Sequence, residues 1–455
     1  MAKQVVQFVC QACGAASVRW LGRCVSCGGW NTLVEERGTA PSGGSRRASP
    51  AAAGPLLIGE IPADTAMRVP TGLGELDRVL GGGAVLGGVV LVGGDPGVGK
   101  STLLLQALAG VAASGVKALY VSGEESAGQT ALRARRLGLG AANVLALATS
   151  DLSEVERAVK DARPVALVVD SVQTVRADGL DSAAGTVTQL REVTSRLVEL
   201  SKRERIATFL VGHVTKDGQL AGPKVLEHLV DTVLAFEGER GHAFRALRTT
   251  KNRFGSATEV GVFEMTPDGM REVAQPSALF LAERPAGAAG SVVAATAEGA
   301  RPLLVEVQAL VGAPGAASPR RSATGVDGTR LAMILAVLAR RAGVEVSSCD
   351  VFVNVAGGMR VDEPAVDLPI ALAVASAFRG RPVDGDAVAF GEIGLAGEIR
   401  GVARAAVRLA EARTMGFGRV VMPGTSAERL SDVEREGVEV LPVRTLEAAL
   451  DALLG

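Results

Sequence analysis

A glycine-rich segment near residue 100 has the spacing of a phosphate-binding loop. It fits the pattern GxxxxGK[ST], follows the strand-like run VVLVGG at 89–94 and precedes the helix-like run STLLLQALAGVAAS at 101–114. In such a loop, backbone N–H groups and a helix N-terminus surround phosphate oxygens, and the lysine reaches the β- and γ-phosphates. The pattern predicts that ATP and Mg²⁺ are bound by Gly94, Asp95, Pro96, Gly97, Val98, Gly99, Lys100, Ser101 and Thr102.

Acidic residues end two other strand-like runs, where hydrolysis of a bound nucleotide would need them. The run ALVVD at 166–170 places Asp170 where it can hold the Mg²⁺ hydration shell, with Ser101 as a ligand of the same ion. Glu124 and Glu125 follow the run ALYVSG. Because adjacent residues point to different sides, we expect Glu124 to activate water and Glu125 to be structural. The alternative is that both are solvated loop charges.

Four of the five cysteines form two CxxC pairs near the N-terminus, and each pair is followed by a glycine, Gly14 or Gly28. Two such knuckles supply four thiolates for a tetrahedral Zn²⁺, with no open position for substrate. The spacing therefore predicts a structural zinc site, and metal should provide most of the folding energy of a module of this size. The predicted ligands are Cys10, Cys13, Cys24 and Cys27.

The only two tryptophans, Trp20 and Trp30, also lie in this cysteine module. We expect them to pack over the small zinc core, and a contact with nucleic acid or a partner is the alternative. The fifth cysteine, Cys349, stands alone and is expected to be a buried apolar residue.

Composition and pattern divide the 455 residues into four parts, in keeping with about three domains. The zinc module spans residues 1–36, and a linker rich in Gly, Ser, Ala and Pro spans 37–56. Short β-rich runs alternate with longer amphipathic runs over 57–273, which predicts an α/β domain with a mostly parallel sheet. Residues 274–455 mix strands and helices again and form a predicted α+β domain.

The overall composition excludes several classes of protein. An apolar content of 47% excludes a disordered chain, and a net charge of −1 excludes a globally basic nucleic-acid coat, although not a local basic channel. No apolar run is long enough to predict a membrane span, and the first residues lack the apolar core of a signal peptide. We therefore expect a cytoplasmic protein with no membrane partner.

Longer motifs resemble one bacterial family. TGLGELDRVLGGG at 71–83 is similar to the entry into RecA-like ATPase cores, and VSGEES, VVDSVQT, GHVTKDG and KNRFG at 251–255 follow in the order found in bacterial RadA, also called Sms. KNRFG is that family's signature. The resemblance covers nearly the whole chain and implies a DNA-dependent ATPase. It further implies binding to single-stranded and branched DNA, branch migration, hexameric rings and cooperation with the recombinase RecA.

The resemblance also implies roles for single residues. Lys251 and Arg253 would share a face and act on the ATP of a neighbouring subunit; alternatively KNRFG contacts DNA with Phe254 stacked on a base, or forms a basic turn with a core Phe. His213, at the end of ATFLVGH, corresponds to the sensor of the γ-phosphate. Lys216 and Lys224 flank GQLAGP, a segment that could line a DNA channel.

The C-terminal part resembles the proteolytic domain of Lon, through VFVNVAGGMRVDEPAVDLPIALAVASA and GEIGLAGEIRGV. Lon-type proteolysis needs a serine and a lysine, but Asp367 occupies the nucleophile position and no lysine follows Lys251. We therefore expect a non-proteolytic domain for ring assembly and DNA contact. A basic surface or a solvated helix face would be formed by Arg320, Arg321, Arg330, Arg340 and Arg341. An ATP-dependent protease and a RecA-like switch that does not translocate remain as alternatives.

Overall fold

The computed structural model describes nine stretches of the chain. These are residues 4–11, 14–39, 67–140, 142–180, 182–213, 225–238, 243–298, 301–314 and 319–454. They divide into two compact units, drawn from Met1–Glu237 with Arg245–Glu272 and from Gly238–Phe244 with Val273–Gly455.

The first unit begins with a small antiparallel sheet in the order β2-β1-β3. Its strands are β1 (Gln4–Cys10), β2 (Ala16–Ser17) and β3 (Leu33–Thr39). The core of this module consists of Cys10, Cys24 and Leu33. Trp20 and Trp30 are 54% and 70% exposed, so the predicted packing of the tryptophans over the zinc core is wrong. The cysteines and a few apolar residues fill this core without an indole.

A larger α/β layer follows in the same unit. Its helices are α1 (Gly74–Leu80), α2 (Lys100–Ala112), α3 (Ala127–Arg136), α4 (Leu152–Ala162), α5 (Val187–Glu204) and α6 (Val225–Leu229). Its strands are β4 (Arg68–Val69), β5 (Ala84–Val85), β6 (Val89–Gly94), β7 (Ala118–Ser122), β8 (Val144–Ala148), β9 (Ala166–Asp170), β10 (Ala207–His213), β11 (Thr232–Glu237), β12 (Phe244–Asn252), β13 (Val260–Thr266) and β14 (Gly269–Glu272).

Nine of these strands form one sheet in the order β14-β13-β12-β11-β6-β10-β9-β7-β8. The six strands from β11 to β8 are parallel, and β12 runs antiparallel to β11. Successive residues of β6 point to opposite faces, so Val90 and Val92 join one core while Val89 and Leu91 join the other. This arrangement confirms the predicted α/β class with a mostly parallel sheet.

The second unit has its own mixed sheet. Its helices are α7 (Pro276–Leu281), α8 (Gly328–Arg341), α9 (Asp367–Arg379), α10 (Ala405–Thr414), α11 (Gly424–Ala427), α12 (Asp432–Arg435) and α13 (Leu446–Leu454), with 3₁₀ turns at Ala356–Gly358 and Pro364–Val366. Its strands are β15 (Ser291–Glu298), β16 (Arg301–Pro314), β17 (Arg321–Thr324), β18 (Cys349–Val355), β19 (Ala387–Ala389), β20 (Glu392–Ile393), β21 (Ile399–Arg400), β22 (Arg419–Pro423) and β23 (Glu439–Val443). Seven of them form a sheet in the order β17-β18-β16-β15-β19-β22-β23.

Among the described residues of the second unit, two ion pairs include a buried side chain. Asp367, at the start of α9, is 1% exposed and takes both its carboxylate oxygens to the guanidinium of Arg330, with Nη2 to Oδ2 at 2.6 Å. Glu363 pairs in the same way with Arg408, which is buried. The predicted basic surface is therefore wrong at Arg330, because a buried carboxylate neutralises this residue.

The other four arginines of that predicted surface are exposed, namely Arg320, Arg321, Arg340 and Arg341. Cys349 is buried, as expected. Among the described residues, no helix combines the length and the apolar character that crossing a bilayer requires.

Candidate functional site

The phosphate loop joins β6 to α2 in the middle of the large sheet. Gly97 and Gly99 have φ values of +82° and +111°, which side chains other than glycine rarely allow. A Cβ on Gly97 would meet nothing within 4 Å, whereas one on Gly99 would collide with Met270. The loop therefore borders open space at Gly97 and packs tightly at Gly99, and a phosphate could approach it from the open side.

Lys100 points into this loop from the first turn of α2. Its Nζ donates to the carbonyl oxygens of Gly94 at 2.6 Å and Asp95 at 2.9 Å, and the side chain is buried. Burial lowers the pKa of the ammonium, although the charges of Asp170 and Asp95 oppose this shift. Ser101 and Thr102 follow in the same turn and are half-buried.

The other predicted site residues lie beside the loop because neighbouring parallel strands end at the same edge of the sheet. His213 of β10 is in register with Gly94 of β6, and Ser122 of β7 is in register with Asp170 of β9. Since β6, β10, β9 and β7 are consecutive neighbours, these strand ends form one row beside the loop. Ligand sites occur at this carboxyl edge in open α/β sheets.

The two adjacent glutamates diverge at this edge. The hydroxyl of Ser171 donates to Glu124 Oε1 at 2.6 Å, and Glu124 is exposed to solvent. Glu125 instead forms an ion pair with Arg133 of α3. One carboxylate thus faces the row of strand ends while its neighbour is held by a helix.

Sequence reasoning missed two residues that support this edge. The hydroxyl of Tyr120 donates to Asp170 Oδ2, and the ring is 1% exposed. Arg133 Nη1 donates to the same hydroxyl at 3.3 Å, so Arg133 connects Tyr120 with Glu125. Burial, together with the charge of Asp170, raises the pKa of Tyr120 well above its usual range. The one available signal is that this single tyrosine interrupts an otherwise apolar strand.

The KNRFG segment lies at the opposite edge of the sheet. Lys251 is in register with Val233 near the start of β11, and the backbone N–H of Arg253 donates to the carbonyl of Asp231 at 3.1 Å. Asp231 accepts the N–H of Val89, the first residue of β6, at 3.1 Å. Gly94 lies five positions after Val89, so the edges are about 16 Å apart at about 3.3 Å per residue.

The two cations of this segment differ in their surroundings. Lys251 Nζ donates to the carbonyl oxygens of Glu227 at 2.5 Å and Val230 at 2.8 Å, at the end of α6. Burial and the neighbouring charge of Arg253 lower its pKa. Arg253 pairs with Asp231 at 3.2 Å, but its side chain is 54% exposed. Arg253 is therefore the more accessible cation of the two.

Asn252 and Phe254 hold the segment in place. Asn252 Oδ1 accepts the backbone N–H of Phe254 at 2.9 Å, and the carbonyl of Phe254 accepts Arg68 Nη2 at 2.6 Å. The Phe254 ring is half-buried in a groove, where it would contact any side chain placed at Gly88. In this position the ring packs as a core residue would.

The cysteine module repeats one turn twice. Gly14 N–H donates to the carbonyl of Cys10 at 2.8 Å, and Gly28 N–H donates to that of Cys24 at 2.9 Å. Both glycines have positive φ, at +73° and +74°. Each CxxC pair is therefore followed by the glycine turn expected from its sequence.

Three of the sulfurs converge in this module. The ligand atoms of Cys10, Cys24 and Cys27 lie within 4.8 Å of one another, and Cys10 Sγ is 3.7 Å from Cys27 Sγ. A tetrahedron with Zn–S bonds of about 2.3 Å has edges of about 3.8 Å. The three described sulfurs thus fit three corners of a tetrahedral zinc site, and Cys10, Cys24 and Cys27 are three of the four predicted ligands.

Some predicted residues lie outside the described part of the chain. They are Cys13, Lys216 and Lys224, as well as the side chain of His213, whose backbone is the last of β10.

Comparison with known proteins agrees with this arrangement of parts. A family model described as an AAA domain matches residues 60–219, and one described as a rubredoxin metal binding domain matches residues 8–35. A third, described as subunit ChlI of Mg-chelatase, matches residues 327–426. The three matches fall on the phosphate-loop layer, the cysteine module and the second unit.

Whole proteins match over their full length. DNA repair protein RadA of Pseudomonas aeruginosa is 49% identical over 455 residues, covering 100% of both chains. DNA repair protein RadA of Bacillus subtilis is 47% identical over 461 residues, and that of Aquifex aeolicus is 47% identical over 454 residues, each again covering 100% of both chains. The chain described above therefore belongs to the RadA family of DNA repair proteins.

Proposed function

We propose that the protein is a DNA-dependent ATPase that binds single-stranded DNA and uses ATP hydrolysis to drive branch migration of recombination intermediates in DNA repair. The observation that carries the ATPase is the row of strand ends, which sets Lys100, Asp170 and Glu124 around one loop. Family membership supports the DNA substrate.

Residues of the phosphate loop would hold the nucleotide. The backbone from Gly94 to Thr102 surrounds the phosphates, and Lys100 leaves the carbonyls of its own loop to contact the β- and γ-phosphates. Ser101 and Asp170 would hold Mg²⁺, which neutralises charge on the transferred phosphoryl group when it is bound. Tyr120 donates to Oδ2 of Asp170 and so holds this carboxylate in place.

Glu124 is the candidate that orients and activates the attacking water. Its carboxylate is exposed at the correct edge and is positioned by Ser171, the residue after Asp170. Glu125 cannot share this role while it pairs with Arg133. His213, adjacent to the loop by register, is the proposed sensor of the γ-phosphate.

Lys251 and Arg253 would complete the site of a neighbouring copy. Arg253 lies about 16 Å from the loop of its own chain along the sheet, which is farther than its side chain can reach, so it cannot serve that loop. In a ring of identical chains, which we propose to be a hexamer, this edge can face the loop of the next copy. Arg253 is then the cation that stabilises charge in the transition state, and Lys251 holds the segment against α6.

The DNA contact is proposed for the segment just before α6. Lys216 and Lys224 lie in that segment, and Lys251 binds the carbonyls at the end of α6. The segment that carries Arg253 is thereby attached through Lys251 to the same short helix that follows the proposed DNA segment. Hydrolysis can then do work because it changes which DNA-binding state is favoured. Phe254 is a further proposed DNA contact, once released from its groove, and RecA is the proposed protein partner.

The test is the ATPase rate of the wild type with and without single-stranded DNA at two salt concentrations. We expect stimulation that weakens at high salt, because phosphate contacts release counterions. Lys251→Ala should bind nucleotide normally and lose stimulated hydrolysis, and Lys100→Ala should lose turnover altogether. An ATPase rate that is the same with and without DNA at both salt concentrations would contradict the proposal and favour a nucleotide switch.

The second unit is proposed to be non-proteolytic. Asp367 stands at the nucleophile position of the Lon resemblance and is neutralised by Arg330 within the unit. No lysine follows Lys251 in the sequence, so no ammonium base is available there. Casein incubated with the protein and ATP should remain intact, and ATP-dependent cleavage would refute this proposal.

A further inference from the structure

The two tryptophans of the cysteine module lie close together on its surface. Ring atoms of Trp20 come within 3.7 Å and 3.9 Å of the position that a Cβ on Gly22 would occupy, and a ring atom of Trp30 comes within 4.0 Å of it. The two indoles therefore approach each other over a residue with no side chain. Both remain largely exposed, at 54% and 70%.

Arginines accompany these indoles. The guanidinium of Arg23 lies 5.8 Å from the centroid of the Trp30 ring, and its Nε donates to the carbonyl of Gly28 at 3.0 Å. Arg19 precedes Trp20 and is exposed. Between residues 14 and 34 the sequence contains these two arginines and no acidic residue. The surface formed by Trp20, Trp30 and Arg23 is here called the indole face, and the exposed Arg19 is next to Trp20 in the chain. This surface thus combines open aromatic rings with positive charge.

We propose that the indole face is a binding site for single-stranded DNA, in which bases stack on Trp20 and Trp30 and the arginines contact phosphates. Aromatic stacking accepts any base, and nearby cations follow the backbone, which is how sequence-tolerant sites bind single strands. Exposed cations beside open aromatic rings favour a polyanion over a protein partner. This inference rests on the proposed DNA dependence and adds a second contact, separate from Lys216 and Lys224.

The composition of the chain supplies the probe. It contains two tryptophans, both on the indole face, so the tryptophan fluorescence of the full-length, zinc-loaded protein reports on this surface alone. We expect oligo-dT to quench the emission in a saturable manner, with an apparent affinity that falls as salt rises. Trp20→Ala and Trp30→Ala should each weaken binding of a labelled oligo-dT about tenfold, whereas the corresponding Phe variants should retain most of the affinity.

A matched control separates stacking from loss of structure. Val25→Ala removes a side chain in the same module that is 85% exposed and lies outside the indole face, so it should leave affinity unchanged. Bound zinc should remain equal in all variants. Should a variant lose zinc, the wild-type quenching titration still decides the question.

The outcomes distinguish this inference from the function on which it rests. If oligo-dT stimulates ATP hydrolysis but neither quenches the tryptophans nor loses affinity in the Ala variants, the indole face is not a DNA site and the proposed function stands. If oligo-dT changes neither the tryptophan emission nor the ATPase rate, both the inference and the proposed function are refuted. Quenching by a protein partner such as RecA but not by oligo-dT would also overturn the inference.

Discussion

Replacing Arg253 by Ala tests whether neighbouring copies share the nucleotide site. The Arg253 guanidinium pairs with Asp231, which also binds the N–H of Val89 at the far end of β6. That end is about 16 Å from the phosphate loop, whereas an extended arginine side chain reaches about 7 Å from its Cα. Arg253→Ala should therefore bind nucleotide as the wild type does, yet hydrolyse it about a thousandfold more slowly.

Mixing two inactive variants gives the decisive measurement. A Lys100→Ala chain retains its guanidinium, and an Arg253→Ala chain retains its loop. Each should be inactive alone, while an equimolar, reassembled mixture should recover about one quarter of the wild-type rate, because a complete site needs one intact half from each of two neighbours.

In the control, the Lys100→Ala chain of the mixture is replaced by Lys100→Ala/Arg253→Ala. This chain lacks both the loop lysine and the guanidinium, so the mixture should recover no activity. A mixture that stays inactive while assemblies exchange subunits normally would refute the reasoning and assign Arg253 a role within its own chain.

Three other perturbations test the remaining parts of the structure. Tyr120→Phe removes the hydrogen bond to Asp170, which should lower the free energy of unfolding by denaturant by about 1.5–3 kcal/mol. It should also raise the Mg²⁺ concentration that gives half-maximal hydrolysis. An unchanged Mg²⁺ requirement would argue against a positioning role for Tyr120. Cys24→Ser should abolish zinc binding and lower the fluorescence anisotropy of the tryptophans, while the unfolding midpoint of the ATPase layer stays the same. Arg330→Met should cost about 3 kcal/mol by leaving Asp367 buried and unpaired, and Arg330→Met/Asp367→Leu should recover most of that loss; equal losses in both would show that the charge is not the cause.

Much of the nucleotide edge could be predicted from local patterns. The apolar runs that precede Gly94 and Asp170 form β6 and β9 with the expected bounds, because buried parallel strands have uninterrupted apolar sequences. The phosphate loop is similarly local, since its glycines, lysine and serine are consecutive. Parallel pairing then brings strand ends to one edge without any further information from the sequence.

Contacts between distant residues could not be predicted in this way. Tyr120 and Asp170 are 50 positions apart, and their hydrogen bond depends on which strands become neighbours in the sheet. The carbonyls bound by Lys251 come from the end of a short helix, a location that no spacing in KNRFG encodes. The exposed tryptophans were missed for another reason: apolar size predicts burial in an ordinary core, but a metal–sulfur centre needs little apolar cover.

The separation of loop and guanidinium across one sheet gives each chain two unlike ends. A linear row of such chains would always leave an unused loop at one terminus and an unused guanidinium at the other, and only closure removes both. The hydrolysis rate per chain should therefore increase with the number of chains in the row, and it should increase once more when the row closes into a ring. Dilution should accordingly lower the rate gradually, before the subunits have separated completely.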